Sequence, residues 1–304
     1  MRGISHKERQ ETQRCPSLQS VVSLSLRKGI MMTKERTLGP TETRLLNRLA
    51  AAGKIVFSTD QARAALEDTE QNVNKLLYRL ARKRWLLRLE KGKYLLLPLE
   101  AGPEGMYSVH EFVIAAHLVQ PYAIAYASAL SFHDLFDLLP QTVFVATTRR
   151  KTDVTVEELG LRFRFVTLTP HKFFGLQTVT VEEQPVQITT PSKTLVDGLD
   201  RPDLCGGIVE LTKAICRYAR DGADWEQVTA DARRLGSRTV FKRLGYLAEV
   251  AGLEVGEWLE RWKAELSTGE TLLDPRYGRQ GDHHSGWNLR LNVSEEQLLE
   301  WRRH

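Results

Sequence analysis

The chain has 304 residues, 42% apolar and 27% charged, with a formal net charge of +5. That is the make-up of a globular protein of about two domains, and it excludes collagenous, low-complexity and wholly disordered chains. No apolar run approaches the ~20 residues of a membrane span, and Cys15, Cys205 and Cys216 are scattered without a CxxC pair, so neither a zinc site nor a disulfide framework is implied and a reducing cytoplasm is expected.

Residues 1–30 are rich in Ser, Arg and Gln, lack a periodic pattern, and run into Met31-Met32. Residues 1–32 are therefore expected to be an unfolded leader or to lie upstream of the native start. The alternative is a disordered basic arm that adds non-specific DNA affinity.

Residues 38–99 read as a winged helix-turn-helix. Leu45, Leu46 and Leu49 give residues 41–52 a helical period, stopped at Gly53. Ile55-Val56-Phe57 is a short strand. Ser58 with Gln61 three residues on is a capping-box pattern for a helix ending near Leu66. Asp68 or Thr69 opens the next helix, where Val73, Leu76, Leu77 and Leu80 recur at i, i+3, i+4 and i+7. Two β-runs joined at Glu90-Lys91-Gly92-Lys93 complete the pattern of a helix followed by a basic ribbon. From Thr69 to Lys93 there are eight basic and two acidic residues, net +6, so the rest of the chain is close to neutral. A local field of that sign suits phosphates; its bland counterpart is a solvated helix face. The expected DNA contacts are Gln71, Asn72, Asn74, Lys75 and Tyr78 on bases or phosphates, Arg79 and Arg82 on phosphates, and Arg88, Lys91 and Lys93 from the wing.

Residues 101–105 form a Gly/Pro linker, and residues 106–304 a second, α+β domain: a small sheet flanked by helices. Helices are expected over 108–118 and 122–139. Strands follow at 142–148, 161–168, 179–182 and 186–189. Further helices are expected over 192–199, 207–219, 225–234, 238–251 and 255–266, then a β-run at 287–293 and a closing helix at 294–302.

The second domain carries no GxGxxG, Walker, GxSxG or HExxH motif, and no catalytic residue, metal or cofactor is predicted. Gly206-Gly207 before a helix reads as an anion site or, more simply, as a turn. His133 reads as a buried, hydrogen-bonded histidine. Lys193 and Asp197, at i and i+4, make an ordinary ion pair or belong to a nuclease site that would need further carboxylates. Trp258 and Trp262 are expected in a core or at a dimer contact. Adjacent His283 and His284 point apart.

Several separate blocks carry a family resemblance: Gly92-Lys93-Tyr94 after Trp85-Leu86; the run from Pro121 to Tyr126 with Ser128, Leu130 and His133; Val145 to Arg150; Phe173-Phe174-Gly175; Pro191-Ser192-Lys193-Thr194-Leu195-Val196-Asp197; Lys242 to Leu247; and Leu273-Asp274-Pro275 to Trp287-Asn288-Leu289. In order and spacing they resemble the AbiE-type antitoxin and transcriptional-regulator family of type IV toxin–antitoxin loci. The resemblance implies a winged domain that binds double-stranded operator DNA and represses its own operon. It also implies a C-terminal antitoxin domain opposing a nucleotidyltransferase-like toxin without forming a stable complex. Rival readings are a Mg²⁺-dependent nuclease targeted by its winged domain and a protein-interaction module.

Overall fold

A computed structural model describes residues 37–97, 109–137 and 141–303. The expected leader and the Gly/Pro linker lie outside the described residues. The chain is α+β: an N-terminal winged helix-turn-helix followed by a larger mixed region.

The winged part runs α1 (Pro40–Ala51), β1 (Val56–Ser58), α2 (Thr59–Leu66), α3 (Glu70–Arg82), β2 (Leu86–Glu90) and β3 (Lys93–Leu96), with sheet order β1-β3-β2. Ser58 Oγ accepts from Gln61 N–H while the Gln61 side chain accepts from Ser58 N–H, the reciprocal cap expected from the sequence. Glu67, at φ 55, ends α2 in the left-handed conformation and leaves a short turn before α3. Leu45, Leu49, Phe57, Ala62, Val73, Leu77, Leu80 and Leu86 close one core among the three helices and the inner face of the sheet.

The outer face of that sheet is covered as well. Val56, Leu87, Leu89, Leu95 and Leu97 belong to a second core with α4 (Glu111–Leu118), β5 (Thr142–Thr147), β6 (Val154–Val156) and β7 (Leu161–Thr167). The winged part is thus seated on the second domain through a shared apolar layer.

The second domain is built on a six-stranded sheet, order β6-β7-β5-β4-β9-β8, with β4 at Ala123–Ile124, β8 at Leu176–Val181 and β9 at Gln184–Thr189. Strands β5 and β7 are parallel, as are β4 and β9, and the other pairs are antiparallel. One face meets α4 and the winged sheet. The other meets α5 (Tyr126–Phe132) and a bundle of α6 (Pro191–Asp200), α7 (Ile208–Arg220), α8 (Trp225–Leu235), α9 (Arg238–Val250) and α10 (Trp258–Lys263). A small sheet, β10 (Thr271–Leu272), β12 (Leu289–Leu291) and β11 (Asp282–His284), and α11 (Glu295–Leu299) close the chain.

The helix expected over 122–139 is corrected. Ala123 and Ile124 are the strand that joins the two halves of the sheet, and helix begins only at Tyr126. Residues 122–131 are buried on every side, so they show no polar face, and periodicity cannot separate a buried strand from a buried helix. Strands β6, β10 and β11, which the sequence reading lacked, are only two or three residues long. Helix α10 is shorter than the expected 255–266.

Candidate nucleic-acid interface

Helix α3 buries Val73, Leu76, Leu77 and Leu80 and turns the rest of its circumference to solvent. At 100° per residue, Gln71, Lys75, Tyr78 and Arg82 form the centre of the exposed stripe, flanked by Asn74 and Arg79. Tyr78 is 64% exposed, and the Arg82 guanidinium lies 5.9 Å from its ring centroid. An aromatic left open beside a guanidinium has an apolar face and a polar rim available to a partner. Gln71, Asn74 and Lys75 have no side-chain partner among the described residues.

The C-terminal end of α3 is tied to α1. Glu42 accepts from Gly39 N–H at 2.9 Å and from Lys83 Nζ at 2.7 Å, and Arg79 approaches it at 3.7 Å. Burial pushes the Glu42 carboxyl up, but those hydrogen bonds and the two cations outweigh it and hold the group below its ordinary value. Asn72 is engaged at the other end, where its Nδ2 donates to Asp68 Oδ1 at 2.9 Å and its N–H approaches Thr69 Oγ1. Its side chain serves the start of α3.

The wing is short. Glu90 pairs with Lys93 across a Lys91-Gly92 turn in which Gly92 has φ 78, and Gly92 O accepts from Thr59 N–H at the start of α2. Arg88 and Lys91 are exposed. Lys93 stands apart from the other expected contacts. Strand alternation puts it on the Leu95 face, toward the second domain. Its Nζ donates to His117 O and Leu118 O, at 2.8 and 2.6 Å, at the end of α4, and pairs with Glu90 at 3.3 Å. Burial lowers its pKa despite Glu90. A β-bulge between Arg88 and Glu90 brings Glu90 to the same side, where it also pairs with Lys151 of the second domain.

The other candidate residues lie in the second domain. Lys193 and Asp197 form an ion pair with side chains 1% and 4% exposed, and Lys193 Nζ lies 4.6 Å from the Phe174 ring centroid. His133 Nε2 is 2.7 Å from Thr189 O, and burial holds its imidazole below the ordinary value. At Gly206-Gly207, the N-terminus of α7 is already served by this chain: Ile208 N–H donates to Asp274 Oδ2 at 3.0 Å, and Arg276 lies over Gly207. Trp262 is fully buried and stacks on Trp258 at 6.4 Å. His283 faces Glu270 while His284 lies against Tyr246. Among the described residues, no group of three or more His, Cys, Asp or Glu could hold a metal ion, and no helix is long and apolar enough to cross a membrane.

One basic group was not picked out as a site from the sequence. Arg149, Arg150 and Lys151 follow β5 in a loop held against the wing by the Lys151–Glu90 pair. The run of three cations is visible in the sequence; its place beside the wing is not.

No protein-family model and no curated protein matches this chain. Among solved structures it is similar to the RV2827C protein from Mycobacterium tuberculosis, with a TM-score of 0.60 and 15% identity over 89% of this chain and 97% of that one. At that identity the likeness is one of fold.

Proposed function

We propose that this protein is a DNA-binding transcriptional regulator whose helix α3 enters the major groove while the hairpin β2–β3 meets the adjacent backbone. The observation that carries this reading is the exposed stripe of α3, where Gln71, Asn74, Lys75, Tyr78 and Arg82 stand in solvent on a helix fixed from behind by four apolar side chains. The sequence blocks extend the reading to an autorepressor and antitoxin of a type IV toxin–antitoxin pair, opposing a nucleotidyltransferase-like toxin from the cytoplasm without a stable complex. The rival nuclease reading would need Lys193 and Asp197 at a surface that substrate can reach, and both side chains are buried.

The test is a footprint of the full chain on the DNA upstream of its gene. Lys75→Ala with Arg79→Ala should abolish protection of the core site and lower the salt slope of binding by about 1.8, or about 0.9 for each phosphate that is no longer neutralised. Unchanged protection by the double variant would remove α3 from the interface.

A further inference from the structure

The seam between the wing and the second domain collects cations from both. The wing side supplies Lys91 and Lys93, the chain before β1 supplies Lys54, and the loop after β5 supplies Arg149, Arg150 and Lys151. Burial, and then the charges of Lys54 and Lys93, hold the nearby His117 imidazole below its ordinary value, which places both lysines within electrostatic range of the end of α4. Among the described residues, the carboxylate that pairs with members of this group is Glu90, which receives both Lys93 and Lys151. Asp60 and Asp153 are turned to Arg63 and Arg162. Arg149 and Arg150 are exposed, and their side chains have no partner among the described residues. Two adjacent exposed arginines left without a counter-charge among the described residues repel each other, and a polyanion laid across them relieves that repulsion.

We propose that Arg149 and Arg150 carry the DNA-binding surface onto the second domain, taking backbone phosphates of the duplex that flanks, on the wing side, the base pairs read by α3. The inference rests on the DNA-binding reading above. Its geometric basis is the Lys151–Glu90 pair, which fixes the arginine loop beside the wing tip, while Lys93 fixes that tip to the end of α4. Phosphate contacts of this kind bind without reading sequence.

The experiment uses the full chain and a random-sequence 40-base-pair duplex, with binding followed by fluorescence anisotropy across a KCl series. Arg149→Ala with Arg150→Ala should weaken binding about ten-fold at moderate salt and lower the slope of log K against log[KCl] by about 1.8. Arg149→Glu with Arg150→Glu should weaken it further, and thermal unfolding of both variants should match the unsubstituted chain. On the upstream DNA, the alanine pair should lose protection of the flank and keep that of the core site. If both arginine pairs bind like the unsubstituted chain while Lys75→Ala with Arg79→Ala binds weakly, the second domain is not part of the surface and the role of α3 stands. If the unsubstituted chain binds neither duplex, the DNA-binding reading and this inference fall together.

Discussion

Lys93 lies in the wing and looks, in sequence, like a phosphate contact, yet its ammonium is committed to the protein. It donates to two carbonyls at the end of α4 and pairs with Glu90, and its side chain is 28% exposed. Lys93→Met keeps most of the stem and removes the charge. A hydrogen bond to a charged group contributes about 1.5–3 kcal/mol when well buried, and a cation at a helix C-terminus about 0.3–1 kcal/mol. The carbonyls regain water in the variant and Glu90 keeps Lys151, so the net loss should be about 2 kcal/mol, toward the low end of these terms together. Urea unfolding of the full chain should show this as a lower midpoint with an unchanged slope. The salt slope of DNA binding should stay within about 0.3 of that of the unsubstituted chain, because the same phosphates are neutralised in both. A variant of unchanged stability whose salt slope falls by about 0.9 would show that the ammonium leaves α4 for DNA, and would refute the reasoning.

Two further outcomes concern the second domain. A Cβ at Gly245 of α9 would enter the space of the fully buried Trp287 ring, whose Nε1 is held by Glu249 at 2.6 Å. Gly245→Ala should therefore cost about 3 kcal/mol in urea unfolding, and a loss below about 0.5 kcal/mol would mean that the ring moves freely. Burial, only partly offset by Lys193, lifts the Asp197 carboxyl to about 6. An unfolded chain releases that proton near pH ~4, so the carboxyl's contribution to stability is whole below about pH 4 and is lost as pH rises to about 6. Asp197→Asn should flatten the curve of unfolding midpoints over that window, and a curve of unaltered shape would contradict the shift.

The local elements of the winged part were legible because each rests on nearby residues. The Ser58–Gln61 cap, the apolar stripe of α3 and the Lys91-Gly92 turn are decided within a few positions of the chain. The cover on the back of the sheet also left a trace. Leu86-Leu87 and Leu95-Leu96-Leu97 are apolar on both faces, whereas a hairpin with one wet face would alternate. Reading that run as a two-sided burial would have turned Lys93, which shares a face with Leu95, away from solvent. Residues 122–139 failed for the opposite reason: no polar position marked where strand gave way to helix.

By itself, the sequence determined which residues of α3 are buried and which are exposed, where the positive charge is concentrated, and that a helix, strand, two helices and a hairpin precede a mixed domain. These follow from periodicity, capping and charge, which act over one or two turns of chain. The tertiary structure alone decided the neighbours. It seated the wing on the second domain, drew Lys93 into the end of α4, shut Lys193 and Asp197 inside a core, and brought Lys151, which directly follows Arg149 and Arg150, against Glu90 of the wing. Those placements depend on contacts between residues dozens of positions apart, such as Glu90 with Lys151; the two-sided apolar hairpin marks that the sheet is covered, but not what covers it.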